Sequence, residues 1–383
     1  MTGRVAPTTA RRAHGTRDAH DDPPGRAALR ARIVALVRRG ETGEVDAVAR
    51  DALLADLHRW QVEHVPPFGR LARARGSPDA RSMPALPTDV FRFARVAAHG
   101  PALDARVFRT SGTTSGRRGE HPIRDVELLA LAVCASAKRC FFADDVRPRV
   151  LVVGPSETQA PDSSLAFMNA RLAERFGEAG RPAVCWSADG PDVRALCVQL
   201  ERAERDGVPV ALLGTTLGLD VAERALPRRF RLHPASRVMQ TGGSKGRRRA
   251  VRPMTLARRL AQRLGLGVDR VVSEYGMTEL SSPLWEPNVR EPRAPRRFEA
   301  PPWVRVSVVD PVRAEPLPEG RWGLVRLDDA ANLDSCAAIL TADVGRLIAG
   351  TLELRGRAPG AVARGCSLAV DERIEARRAS FDA

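Results

Sequence analysis

Between residues 26 and 60 apolar side chains recur at helical spacing, first Leu29, Ile33 and Val37, then Val45, Val48, Leu53 and Leu57, so the pattern predicts two helices. The Pro-rich stretch 66–87 interrupts that periodicity and is predicted to be loop. From residue 105 the texture changes. Short apolar runs ("RVLVVG", "VPVALLG", "SRVMQTGG", "RVVSEYG") alternate with stretches of helical period ("SSLAFMNARLAERFG", "VRALCVQLERAE", "TLARRLAQRLG"), which predicts an α/β fold. Beyond Pro283 the helical period stops, and "WVRVSVVD", "GLVRLDD" and "GTLELRG" read as strands. The expected organisation is a disordered tail over 1–25, a helical segment over 26–104, an α/β core over 105–310 and a β-rich part over 311–383. No internal repeat is present.

Composition narrows the class. A chain of 383 residues with 43% hydrophobic content has room for a substantial core and for two or three structural units. No run approaches the ~18 apolar residues of a membrane span. The longest, "LLALAVCASA", is broken by Lys138 and Arg139, so a soluble protein without a membrane partner is expected. A net charge of +15 points first to nucleic acid, but all but two of the 61 basic residues are Arg, and they are spread over the whole chain. They lack the aromatic interleaving of single-strand binders, which argues against a nucleic-acid partner. The six cysteines form no C-x-x-C pair and no finger spacing, which argues against zinc and a disulfide framework and suits a reducing cytoplasm. The N-terminal 25 residues lack the apolar core of a secretory signal.

Two stretches carry candidate chemistry. "VFRTSGTTSGRRGEH" (107–121) packs hydroxyls and glycines behind a hydrophobic pair, the makings of a loop whose backbone approaches a phosphate while Ser and Thr add donors. It is not a Walker A sequence, because Gly112 to Gly116 is too short and Arg117 follows. Alone it reads equally as a flexible Ser/Gly loop. "SEYGMTEL" (273–280) follows the apolar "VDRVV" and so belongs at a strand end. It offers the chain's only tyrosine, Tyr275, for stacking, the Thr278 hydroxyl, and the Glu279 carboxylate for a hydrated cation. Alone it reads equally as an ordinary strand-to-loop turn.

Taken together, these residues resemble the adenylate-forming superfamily of acyl-CoA synthetases, luciferases and peptide-synthetase adenylation domains. "TSGTTSGRRG" is similar to its phosphate loop, "YGMTE" to its adenine and magnesium motif, "TADVG" (341–345) to its ribose motif, and "GRAPGAVARG" (356–365) to its hinge. "TGGSKG" (241–246) and "RGCSL" (364–368) resemble the acyl-protein synthetase branch, the LuxE-type enzymes that supply activated fatty acids to a reductase. The resemblance implies the large-domain fold of adenylate-forming enzymes, mixed α/β layers with a β-rich C-terminal part, without the usual mobile C-terminal domain.

The resemblance further implies ATP and Mg²⁺. Thr110, Ser111, Gly112, Thr113, Thr114 and Gly116 would hold phosphates, Tyr275 with Gly276 and Thr278 the nucleotide, and Glu279 the metal. Asp343 would accept from ribose hydroxyls, Arg357 would support ribose or phosphate, and Cys366 would carry the acyl group before a partner reductase or acyl carrier takes it. Two departures stand out. Pro359 occupies the hinge aspartate position, and the catalytic lysine of the mobile domain has no counterpart. Lys245 would supply that charge, or is simply a surface lysine on a basic loop. The helical stretch 162–177 would line an acyl tunnel or be plain core. An aryl- or acyl-CoA ligase of the phenylacetate type and a basic nucleic-acid binder remain as alternative readings.

Overall fold

Strands that are buried at every position must be covered on both faces, and the centre of this chain is built that way. The computed structural model describes residues 22–76, 83–110, 118–242 and 251–358. Helices α1 (Arg26–Thr42), α2 (Ala47–His64) and α3 (Pro66–Ala74) precede strand β1 (Leu86–Pro87). A hairpin, β2 (Arg106–Arg109) and β3 (Glu120–Ile123), leads to α4 (Val126–Cys140), β4 (Arg149–Val153) and α5 (Ser164–Phe176). Three short strands follow, β5 (Ala183–Val184), β6 (Trp186–Ser187) and β7 (Gly190–Pro191). Next come α6 (Val193–Asp206), β8 (Val210–Thr215), α7 (Thr216–Ala225), β9 (Arg237–Thr241), α8 (Pro253–Leu264), β10 (Val271–Tyr275) and β11 (Leu284–Trp285). The described chain closes with β12 (Val304–Val309), β13 (Gly323–Asp329), β14 (Ala338–Ile348) and β15 (Thr351–Arg357).

Six strands form one sheet in the order β11-β10-β9-β8-β4-β5, parallel throughout except for the antiparallel β10–β11 pair. Alternate residues of its strands serve two cores. Val150, Val152, Ala211 and Leu213 pack with α4 and α5 on one face, while Leu151, Val153, Val210 and Leu212 pack with α6, α7 and α8 on the other. The helices start where the sequence offers caps: Asp125, Ser163, Asp192 and Thr215 each accept from a backbone amide of the first turn of α4, α5, α6 and α7. A second sheet of five strands runs β1-β14-β13-β12, with β15 beside the other half of the long β14. Helices α1, α2 and α3 cover it, placing Ile33, Leu57 and Phe68 in one core with Val325, Leu327 and Ile339. Close packing sets a residue here too. A Cβ on Gly40 of α1 would lie 2.8 Å from the ring of fully buried Trp303, so glycine is kept inside a helix that it otherwise weakens.

One expectation fails. Residues 66–74, read as part of a proline loop, form helix α3, because Pro66 and Pro67 stand in its first turn, where no intrahelical N–H is needed and the fixed φ already suits a helix. The N-terminal segment also contributes β1, which pairs in parallel with Ile339 and Leu340 of β14. The tail over 1–21 and the stretch after Ala358 lie outside the described residues. Among the described residues no helix is long and apolar enough to cross a membrane.

Two buried imidazoles tie stability to pH. His58 is fully buried with Nε2 3.5 Å from Asp328, a carboxylate gripped by Arg326, and His121 is 2% exposed. Burial pushes both rings down to about 4. Each folded pKa lies below its unfolded value near 6.5, so the stability that each neutral ring contributes is complete above pH 6.5 and is lost as pH falls towards 4. The full difference is about 3 kcal/mol per ring. The melting temperature is expected to fall between pH 6.5 and 4.5, and to fall less steeply in His58→Gln. An unchanged slope in that variant would contradict a buried neutral His58.

Candidate active site

The C-terminal ends of β8, β9 and β10 open at one edge of the six-stranded sheet, the place where parallel α/β sheets take their ligands. Thr215 ends β8, Thr241 ends β9, and Tyr275 ends β10. Gly242, at φ 76°, turns the chain sharply after β9, and the Thr216 hydroxyl donates to the Thr241 and Gly242 carbonyls. The Thr241 hydroxyl in turn donates to the Glu274 carboxylate on the neighbouring strand.

At this edge the two sheets meet through side chains that the sequence had singled out. The Tyr275 hydroxyl donates to Asp343 Oδ2 at 2.9 Å, and Arg357 Nε lies 3.7 Å from the other oxygen of the same carboxylate. Asp343 and Arg357 face each other across β14 and β15, next to a register shift at Val344 and Gly345. Such a bulge re-aims neighbouring side chains, and it is common beside functional sites. The space there is tight, since a Cβ on Gly345 would sit 2.8 Å from Val325 and 3.0 Å from the Glu353 carbonyl. Tyr275 packs against Phe298 with ring centroids 5.7 Å apart. Burial, followed by the Asp343 charge and hydrogen bond, raises its phenol well above the ordinary value of 10.

Gly276, Thr278 and Glu279 lie on the loop between β10 and β11, whose peptide groups are held by buried side chains from two other segments. His121 Nδ1 donates to the Thr278 carbonyl at 2.6 Å, and Asn332 Nδ2 donates to the Glu279 carbonyl at 2.9 Å. Asp329 accepts from the Ser281 amide at 3.1 Å and the Ser282 hydroxyl at 2.9 Å. Asn332 is fixed in its turn by Gln61, which donates to its carbonyl at 2.7 Å, and Trp303 donates to Ser282 at 2.8 Å. Asp329 is fully buried, and burial raises its carboxyl to about 6 against the pull of its hydrogen bonds. The Glu279 side chain is 4% exposed. His121, Asp329 and Asn332 escaped the sequence reading. The only signal for the last two is a set of polar residues inside the apolar run "RLDDAANLDSCAAILT".

The Ser/Thr/Gly loop springs from the β2–β3 hairpin. Its base is latched by Thr110, whose amide donates to the Gly119 carbonyl at 2.9 Å and whose Oγ1 accepts from the Gly119 amide at 2.8 Å. Arg118 caps the Thr110 carbonyl at 2.7 Å and pairs with Asp162 at 2.7 Å. Ser111, Gly112, Thr113, Thr114 and Gly116 lie outside the described residues, as do Lys245 and Cys366. Between α4, α5 and the ends of β9 and β10 lies a small pocket open to solvent. Leu129, Val133, Leu165, Phe167 and Met168 form its apolar wall, with Thr241 and Glu274 at its polar end. Residues 162–177 therefore serve both as core and as pocket wall. Among the described residues no group of three His, Cys, Asp or Glu forms a metal cage.

This architecture is the large-domain fold of adenylate-forming enzymes. A 2-hydroxyisobutyryl-CoA ligase solved with 2-HIB-AMP and CoA in the thioesterification state superposes with a TM-score of 0.59 at 15% identity, over 84% of this chain and 70% of that one. Its open conformation gives 0.58 at 14% identity, over 84% and 78%. ATP-bound MatB from Rhodopseudomonas palustris gives 0.48 at 16% identity over 67% of this chain, which spans about half, 48%, of MatB. Residues 199–375 match the family model described as acyl-protein synthetase, LuxE, a little under half of the chain. That span holds "TGGSKG", "YGMTE", "TADVG" and "RGCSL", so the resemblance read from these motifs is met by a family match over the same residues. The Ser/Thr/Gly stretch at 110–119 lies before it. No curated protein matches the chain.

Because Tyr275 is the only tyrosine, alkaline difference absorbance reads this one phenol. It is expected to titrate well above pH 10 in the folded protein and to move down in Asp343→Asn, which removes the carboxylate charge. The same midpoint in both proteins would contradict the Tyr275–Asp343 contact.

Proposed function

We propose that the protein activates a carboxylic acid with ATP as an acyl-adenylate and then passes the acyl group to a thiol. The observation that supports this reading best is the meeting of Tyr275, Asp343 and Arg357, from three separate motifs, beside an apolar pocket at the sheet edge. A carboxylate oxygen of the acid attacks the α-phosphorus, a new O–P bond forms, and pyrophosphate leaves. Negative charge grows on phosphoryl oxygens, which calls for aimed donors and cations. The 111–117 loop would supply amides and hydroxyls, with Lys245 as a further cation. Tyr275 would stack on adenine, Asp343 would accept from the ribose hydroxyls, and Arg357 would hold Asp343 in place. The oxygen donors of Glu279 and the phosphates suit Mg²⁺, which when bound neutralises phosphate charge.

The apolar wall of the pocket suits a hydrocarbon acyl chain, and a fatty acid is the substrate class that it favours. In the second step a thiolate attacks the acyl carbon, the C–O bond to phosphate breaks and AMP departs. Burial pushes the described thiols away from this role: Cys134 to about 11, and Cys140, Cys185 and Cys336 to about 12. Cys197 is raised as well. Cys366, two residues from Arg364, is the remaining cysteine, and an adjacent cation favours the thiolate. An acyl group on Cys366 would pass to a reductase or acyl-carrier partner. A CoA ligase is the second reading, favoured by the fold likeness to an enzyme solved with CoA.

The expected activity is acid-dependent exchange of pyrophosphate into ATP, tested over a panel of carboxylic acids. Asp343→Ala should raise KM for ATP by on the order of ten- to a hundredfold, as for the loss of a hydrogen bond to a charged group. Cys366→Ser should keep exchange and lose hydroxylamine-labile acyl label on the protein. Folded protein without exchange on any acid would overturn adenylation. Label that persists in Cys366→Ser, or that appears only as a CoA thioester, would overturn the acyl-cysteine step alone.

A further inference from the structure

His121 sits on β3, two residues beyond the Gly119 that closes the base of the Ser/Thr/Gly loop. Its ring crosses to the loop after β10, where Nδ1 lies 2.6 Å from the Thr278 carbonyl, a contact between residues 157 apart in sequence. A carbonyl oxygen only accepts, so Nδ1 carries the hydrogen and Nε2 is left as the bare acceptor. Nε2 is buried and has no hydrogen-bond partner among the described residues. The ring is wedged edge-on against Phe91, with centroids 5.5 Å apart and planes at 86°. Burying an unsatisfied acceptor is costly, and an aromatic or aliphatic side chain would fill the same space against Phe91 without that cost. What such a side chain would lack is the N–H aimed at Thr278.

We infer that His121 is a positioning residue that fixes the separation between the phosphate-loop hairpin and the Thr278–Glu279 segment. The inference rests on the adenylation reading above, and it adds a residue to which none of the motifs assigned a role. The hairpin base is rigid through Thr110, Gly119 and Arg118, and the far loop is rigid through Asp329 and Asn332. The His121–Thr278 hydrogen bond joins the two rigid pieces. A nucleotide held by its phosphates on one piece and by its base and ribose on the other is bound well only when their separation is correct, since small misplacements are expensive in a site that orients reacting groups.

The test compares wild-type protein with His121→Phe and His121→Asn in pyrophosphate exchange. Asn places an amide N–H close to the position of Nδ1, whereas Phe fills the space without a donor. His121→Phe is expected to stay folded and to raise KM for ATP by on the order of tenfold, as for one lost buried hydrogen bond, with KM for the acid unchanged. His121→Asn is expected to restore KM for ATP towards wild type. Equal ATP kinetics in wild type and Phe, or Asn as impaired as Phe, would overturn the positioning role. Wild-type protein without exchange on any acid would instead overturn the adenylation reading. One readout needs no activity. In protein labelled with ¹⁵N-histidine, the signal pair missing from His121→Asn should show the Nδ1–H tautomer at neutral pH, and the Nε2–H tautomer would overturn the proposal even if Phe fails to fold.

Discussion

Residues 278–282 of the loop after β10 are held through their own peptide groups and hydroxyls, by side chains buried between the two sheets. His121, Asn332 and Asp329 grip successive points along it, and Gln61 on α2 fixes Asn332 from behind. A loop in this position would otherwise bury unpaired carbonyls and amides, each costing about 1–3 kcal/mol. The polar set is therefore required by the burial, and with the Thr278 and Glu279 carbonyls and the Ser281 amide committed the loop has little freedom to drift. The hairpin provides one holding group and the second sheet with the turn after β13 two, while the helical N-terminal segment braces Asn332 through Gln61, so the three parts are bound to one another around this loop.

The same junction explains why the candidate site forms where it does. β10 ends at Tyr275 in the six-stranded sheet, while Asp343 and Arg357 belong to the five-stranded one. The hydroxyl–carboxylate contact spans the gap, and the loop that begins at Gly276 runs directly along it. An apolar pocket opens on the α4 and α5 side of the same strand ends, so apolar and polar surfaces meet at one edge. That juxtaposition suits a substrate with a hydrocarbon body and a carboxylate head placed beside a nucleotide.

Much of this was legible in the sequence, for reasons that differ from element to element. The helices α5, α6 and α8 and the strands β4, β8, β9 and β10 were readable, because each helix buries one face and each of these strands carries a short apolar run. Helix α4 gave no periodic signal because it packs on two sides, with Leu128 and Ala132 in one core and Leu129 and Val133 in another. Helix α3 was hidden by prolines that mark a helix start as readily as a loop. Tyr275 and Asp343 were visible because motif residues keep their local sequence. His121 and Asn332 were not, since what they bind is the backbone of a segment 157 and 53 residues away, and a carbonyl acceptor leaves no mark on residue identity.

The most direct test of the whole account is calorimetric binding of a stable acyl-adenylate mimic, an acyl sulfamate of adenosine carried as short-, medium- and long-chain acyl forms. An enzyme that forms the adenylate holds a mimic of that intermediate more tightly than ATP. Binding tighter than ATP is expected for at least one chain length, with most of that affinity lost in Asp343→Ala. Folded protein that binds none of the three, or that binds them equally well without the Asp343 carboxylate, would contradict the placing of an adenylate at the junction of the two sheets.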